Sequence, residues 1–294
     1  MANVNAKETD NLKVAKLAIK ENRKIKIQTF MKNKMAMVGL IITVIMVIAA
    51  LLAPVLFPEG PIKMDNPNRF LAPSGAHLFG TDEFGRDILN RTLYGIRISF
   101  VIGGVTALIT FVLGMLLGLL AGYYSILDNI IMRICEGMMS IPPVLLGIAL
   151  MSALGGSAKN VVIALSIVYT PVVARVARAS TLSVKEMTYI EAVKSQGAGS
   201  FRILFRHIAP NILSPVIVQA TNIFATAIIL EASLSFLGAG IPAPEPSLGN
   251  ILSEAKQYIF KSWWLTLYPS IVMILMVMGI NILGDGVRDV LDPS

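Results

Sequence analysis

From Met35 to Phe57 the chain runs 23 residues without a single charged side chain. A helix of that length crosses the hydrocarbon core of a bilayer, and in lipid a single segment satisfies its own backbone N–H and C=O groups only as a helix. Five further predominantly apolar runs follow: Ile98 to Leu127, about Ile134 to Leu154, about Val161 to Ala174, about Ile212 to Leu237 and about Leu265 to Leu283. The expected fold is therefore an all-α polytopic membrane protein with six transmembrane helices. A hydrophobic fraction of 55% against a charged fraction of 15% fits that class. Pro58 and Pro61 close the first span. The roughly 40 residues that follow are rich in Pro and Gly and read as an exposed loop.

The net charge of +7 raises the question of nucleic acid, and its distribution answers against it. Nine Lys/Arg precede the first span, as in a cytoplasmic segment facing anionic lipid. Residues 1–34 are thus read as a basic cytoplasmic segment and 35–294 as the membrane domain. That run is too long and too late for a signal peptide. With six spans both termini lie in the cytoplasm, and 17 of the 25 Lys/Arg fall on that side, as the positive-inside rule requires. Cys135 is the one cysteine, so no intrachain disulfide forms. His77 and His207 fall on opposite sides of the membrane, which argues against a His/Cys metal site.

Several features inside the spans point to packing. Gly114, Gly118 and Gly122 recur every fourth residue and let a neighbouring helix approach closely. Pro142-Pro143 and Pro171 mark candidate kinks. Arg133 with Glu136, and Asp285 with Arg288, stand three apart and are expected to pair along their helices. Glu231, well inside the fifth span, is costly in lipid and must face the interior, a partner or water. Two readings stand for it: a lining residue that meets a substrate amine, or a structural hydrogen-bonding group for the subunit interface or for neighbouring Ser233 and Ser235. In Gly80 to Asp87 (GTDEFGRD), the carboxylates lie among Arg86 and Arg91, so salt bridges within a structured loop are expected there rather than catalysis or a metal.

The largest polar interruption, Thr188 to Asn211, is too amphipathic to cross a bilayer. Thr188 and Glu191 have the spacing of a capping box, Gly197 and Gly199 offer ends to that short helix, and Ser200 can cap a second one. In the second, Phe201, Leu204, Phe205 and Ile208 share one face and Arg202 and Arg206 another. A helical pair with an apolar face, held on the cytoplasmic side, needs something to dock against.

Here the residues resemble a known family. Glu191-Ala192-Val193, Gly197, Ile208 and Pro210 resemble the EAA motif of the membrane subunits of bacterial ABC importers. KNKMAMVGL from Lys32, LFGTDEFGRDILNRTLYGIRISF from Leu78, ILEASLSFLGAG from Ile229 and NILGDGVRDVLDPS from Asn281 look like its dipeptide/oligopeptide/nickel branch, and like the C-type member of that branch. The resemblance implies a type I ABC importer permease fold in the bacterial cytoplasmic membrane. It also implies a heterodimer with a homologous B-type permease, two ABC ATPases that bind ATP and Mg, and an extracytoplasmic solute-binding protein. Peptides are the implied cargo, with nickel or another small solute as the alternative. The chain itself carries no GxxxxGK[ST] or HExxH motif and is expected to bind no cofactor and to hydrolyse nothing. An ion-coupled transporter would need midplane carboxylates, and Glu231 is the one candidate.

Within the coupling loop, about 175–211, the resemblance assigns Tyr189, Ile190, Ala192 and Val193 as apolar contacts to an ATPase groove. Glu191 is then the anion that pairs with a basic residue there, and Gly197 makes the turn into the second helix. The chain departs from the family pattern at Val193, where Ala is usual, at His207 and Ala209, and at Leu248, where Trp is frequent. Leu248 is placed in an outer loop facing the binding protein or the mouth of the pathway. The segment Leu12 to Ile27 is amphipathic and suits either the membrane surface or an ATPase.

Overall fold

The computed structural model describes residues 28–291, and all the regular structure among them is helical. The amphipathic segment Leu12 to Ile27 lies outside the described residues. Helix α1 (Lys34–Leu56) is capped by the Asn33 side chain, which accepts from Ala36 N at 3.1 Å. Helix α2 (Ile88–Tyr123) starts well before Ile98. Asp87 caps it, accepting from Asn90 N at 2.9 Å, and Arg91 in its first turns is neutralised by carboxylates, so charge does not delay the helix.

The third span is a bent pair. Helix α3 (Ser125–Met139) stops before Pro142-Pro143 and α4 (Pro143–Leu154) leaves at 96° to it. A proline at the first helical position suits a start, and the residue before a proline is driven out of the helical region, so the dipeptide ends one helix and begins another. Helix α5 (Ala158–Lys185) runs through Pro171 and eleven residues beyond Ala174. Its polar end is held by Arg178, whose Nη2 donates to Asp128 Oδ2 of α3 at 2.6 Å. That ion pair crosses between helices. The expected pairs Arg133–Glu136 and Asp285–Arg288 do not form among the described residues. Near the second of these it is Asp289 that is engaged, accepting from Asn33 Nδ2 at 2.8 Å.

After the short α6 (Thr188–Ser195), α7 runs from Ser200 to Phe236 as one 37-residue helix. The second helix of the amphipathic pair is thus the foot of the fifth span and not a separate element. Its turn at Ile203–Ile208 is π-helical. Pro210 has no N–H for the Arg206 carbonyl, and a widened turn accommodates the ring. Helix α8 (Leu248–Ala255) tucks between spans, and α9 (Trp264–Leu291) is the last.

Interhelical approach is set where glycine leaves room. A Cβ on Gly114, Gly118 or Gly122 of α2 would lie 2.4–2.6 Å from the Cβ of Val173, Ala177 or Thr181 of α5. The four-residue glycine repeat is the contact line between these two spans. Leu248 faces neither a pathway nor solvent: it is wholly buried, its Cδ2 3.2 Å from where a Gly95 Cβ would sit. A leucine fills that space between α2 and α8.

Candidate functional site

At one end of the bundle, α6 packs on the foot of α7, next to the end of α5. Its N-cap is Met187, whose side chain caps nothing, so the capping box between Thr188 and Glu191 does not form. Thr188 is instead the first helical residue. Ser200 likewise is the first residue of α7, after Gly199, and caps no N–H. The C-terminus follows the sequence reading. Gly197 takes φ +82° and donates to Lys194 O at 3.0 Å, while Ala198 N reaches Val193 O at 3.3 Å. Those two bonds make a Schellman motif, whose left-handed position suits glycine.

The two faces of α6 differ sharply. Ile190 is 3% exposed, packed with Ile203, Leu204 and Ile208 of α7 and Val184 of α5. It therefore anchors the helix to its own bundle and is not offered to a partner, which corrects its assignment as an outward contact. Val193 is half-buried against the same cluster. Glu191 and Ala192 are exposed, and Glu191 makes no side-chain hydrogen bond or ion pair among the described residues.

Tyr189 is 40% exposed and has a second role that sequence did not show. Its hydroxyl accepts from Asn211 Nδ2 at 3.1 Å and donates to His207 O at 3.4 Å; Asn211 Nδ2 also reaches His207 O at 2.6 Å. These bonds tie α6 to the helix just past the π turn. The neighbouring feet are stitched in too. Lys185 Nζ donates to Tyr123 O at 2.9 Å, placing a cation on the last turn of α2, and Tyr123 OH donates to Ser200 Oγ at 3.4 Å.

The apolar face read for the foot of α7 is divided. Leu204 and Ile208 are buried, whereas Phe201 and Phe205 are 75% and 43% exposed, their rings 4.6 Å apart. A π turn holds more residues than an α turn, so Phe201 and Phe205, three before Leu204 and Ile208, no longer share their side, while positions four apart still do.

Glu231 lies some twenty residues further along α7, about 30 Å from Asn211 on a straight helix, and belongs to a different site. It is fully enclosed and so lines no open path. Its carboxylate accepts from Ser235 Oγ at 2.8 Å and Ser99 Oγ at 3.3 Å, joining α7 to α2. Ser235 Oγ in turn accepts from Ile241 N at 3.2 Å. The bonds go to Ser99 and Ser235; Ser233 turns instead to Ile229 O.

At that same far end, the loop after α1 is structured and partly buried. Asp82 accepts from Arg86 Nε at 2.6 Å and Arg91 Nη1 at 2.9 Å. Glu254 of α8 accepts from Arg86 Nη2 at 2.8 Å and Arg91 Nη1 at 2.6 Å. Oxygens of Asp82, Glu83 and Glu254 converge within 4.8 Å, but two guanidinium groups already engage them. Glu254 is the member that sequence missed: it stands 163 residues from Arg91, and no local pattern links them.

Long apolar helices, a short helix braced on the foot of one of them and an ion-paired loop at the other end define an architecture already known among importers. The chain superposes on a chain of the inward-facing MetNI methionine ABC transporter with a TM-score of 0.58 at 21% identity, covering 68% of this chain and 95% of that one. The fold is that of a type I ABC importer permease. Residues 110–294 match the family described as "Binding-protein-dependent transport system inner membrane component", and 25–73 match the "N-terminal TM domain of oligopeptide transport permease C". The chain belongs to that family, as a multi-pass protein of the bacterial inner membrane.

Relatives are similar over nearly their whole length. The dipeptide transport system permease protein DppC of Alkalihalophilus pseudofirmus is 44% identical over 90% of this chain and 87% of its own. A putative peptide transport system permease of Brucella abortus is 42% identical over 90% and 89%, and the glutathione transport system permease GsiD of Pectobacterium atrosepticum 40% over 90% and 89%.

Proposed function

We propose that this chain is one half of the membrane pathway of an ATP-driven peptide importer, with α6 as its cytoplasmic docking helix. Both termini are then cytoplasmic, and the Asp82 loop faces the extracytoplasmic binding protein. The names of the relatives support peptides as cargo, since dipeptide, peptide and glutathione permeases all align along the chain. A homologous B-type permease would complete the pathway. Two ABC ATPases would bind ATP and Mg, leaving this subunit without a nucleotide site or cofactor of its own.

The observation that carries the coupling role is the division of α6 into an anchored and a bare face. Ile190 fixes the helix to α5 and α7, Glu191 and Ala192 point away, and Tyr189 bonds the base of α7. A displacement imposed on α6 is thereby passed to a transmembrane helix. Ala192 permits close approach, and Glu191 supplies the charge for a basic residue in the ATPase groove. A buried charge that loses its partner costs on the order of 3–5 kcal/mol.

The test uses the full complex in proteoliposomes with binding protein. Glu191→Ala should abolish ATP-driven uptake of a labelled dipeptide while ATP hydrolysis persists without stimulation by loaded binding protein. Wild-type uptake in that variant would refute the coupling role. Gradient-driven uptake without ATP would refute the importer reading itself.

A further inference from the structure

Most exposed helix faces in this bundle are aliphatic. On α1 the outward residues are Val38, Ile41, Ile45, Ile48, Leu52 and Val55; on α2 they include Val101, Val105, Leu108 and Val112; on α9, Ile271, Ile274 and Met278. Such surfaces suit lipid. Helix α7 differs. Asn211, Pro215, Asn222, Thr226, Ile229 and Ser233 follow one another at steps of three, four and seven, which is one helical face. All are exposed except the half-buried Ser233, and Gln219 is half-buried at the edge of the stripe.

Asn222 sits at the middle of the span and its carboxamide makes no hydrogen bond among the described residues. In lipid, that amide would carry the cost of a polar group with no partner. The stripe runs from Asn211 to Ser233, about 33 Å at 1.5 Å per residue, the full thickness of the hydrocarbon core. A polar spot at a helix–helix contact needs only one turn; polar groups recurring at Asn211, Asn222, Thr226 and Ser233, with Pro215 and Ile229 between them, suit water along the path. At its far end the stripe opens into a groove of about 480 Å³ that is apolar save for Ser233, lined also by Val144, Ile229, Phe236 and Met273.

We propose that this face of α7 is this subunit's wall of the solute path, and that Asn222 is its specificity-determining residue for neutral, amide-rich solutes. The inference rests on the importer reading and adds which residues the cargo meets. The chemistry of the wall favours peptide over metal ion. Thr226 and Ser233 donate their hydroxyl hydrogens to Asn222 O and Ile229 O, and Tyr169 of α5 donates to Thr226 O at 3.2 Å, leaving oxygen lone pairs outward. Asn222 adds a donor and an acceptor. From Asn211 to Ser233 the one charged residue is Glu231, which is enclosed. A bare divalent transition metal would want imidazole, thiolate or carboxylate ligands, and this wall offers none. A peptide backbone, donor and acceptor in alternation, meets groups of its own kind without a deep binding well.

Two measurements on the assembled complex test this. In a Cys135→Ser background, Asn222→Cys and Thr226→Cys should react with a membrane-impermeant methanethiosulfonate reagent, at rates that differ between the nucleotide-free and the ATP-trapped complex. Val105→Cys and Ile274→Cys, on lipid-facing surfaces, should not react. Separately, Asn222→Asp should shift relative uptake of a Lys-containing over a Glu-containing tripeptide on the order of tenfold against the wild-type ratio, as a charge placed in a narrow path does. Preferences of the binding protein cancel in that comparison.

Unreactive 222 and 226 in a complex with intact peptide uptake would show the stripe sealed against the partner permease and overturn the inference. So would an equal loss of both tripeptides. A complex that labels at 222 but imports no peptide with ATP would instead overturn the importer reading and leave the stripe as a water path.

Discussion

The two ends of this bundle handle charge in opposite ways. At the far end Asp82, Arg86 and Arg91 are at most 3% exposed, and with Glu254 they form ion pairs across a loop, α2 and α8, Arg91 through its Nη1 alone. At the α6 end Glu191 stands exposed without a partner among the described residues, while the apolar Ile190 is buried against its own bundle. The first arrangement pairs its charges within one chain, with Arg91 Nε and Nη2 left without a hydrogen bond among the described residues. The second holds a helix firmly and leaves its charge unspent, as a surface made to be covered does. Carboxylates of similar prominence in the sequence therefore play different parts, and the difference lies in who satisfies them.

The largest effect expected is at the far end. Asp82→Ala leaves the buried Arg91 with Glu254 and Arg86 with Glu254 and the more distant Glu83, and breaking such a network costs about 3–5 kcal/mol. The thermal midpoint of the permease pair in detergent should fall steeply, and accumulation in the membrane with it. Glu191→Ala should leave that midpoint where it is. Equal losses from the two substitutions would erase the distinction drawn between the ends.

A smaller effect sharpens the contrast within α6 itself. Ile190→Ala removes a side chain packed against Ile203, Leu204 and Ile208, and such truncations cost about 2–5 kcal/mol. Here the loss falls on one short helix, so amide hydrogen exchange over 188–195 should accelerate sharply while α2 and α5 stay protected. Fast exchange in Glu191→Ala as well would mean that Glu191 braces the helix from within.

Much of this was legible beforehand, for identifiable reasons. Uncharged runs locate spans because the bilayer permits few alternatives, and the glycines at 114, 118 and 122 announce a close contact because little else recurs so regularly. Helix ends were less legible. The spans read from Ile98 and to Ala174 stop at Arg97 and Arg175, whereas the helices run on through Arg91 and Arg178, which Asp82, Glu254 and Asp128 neutralise. The π turn before Pro210 broke a periodicity that assumed 3.6 residues throughout, misplacing Phe201 and Phe205. Ile190 and Tyr189 sit next to each other in one motif, yet one is an anchor and the other half displayed. A motif records which residues recur together, whereas burial depends on what the rest of the chain lays over them.

The smallest effect is at Glu83, where the far end is least settled. Its carboxylate lies 3.6 Å from Arg86 Nη2, but burial pushes its pKa above the usual carboxylate value, with Asp82 and Glu254 adding to the rise. A backbone hydrogen bond and Arg86 pull the other way with less force. A folded-state pKa above the unfolded one means that the group's contribution is greatest below the unfolded value of about 4.5 and is lost as pH rises through the raised value. Above its raised pKa the ionised Glu83 is thus a slight burden, so Glu83→Gln should match or barely exceed the wild type in thermal midpoint there. As pH falls through the raised value the wild type should gain on the variant as its carboxyl takes up a proton. A variant clearly weaker than wild type at pH 7, and recovering toward pH 5, would make the Arg86 contact the stronger influence and count Glu83 among the fully paired charges of that end.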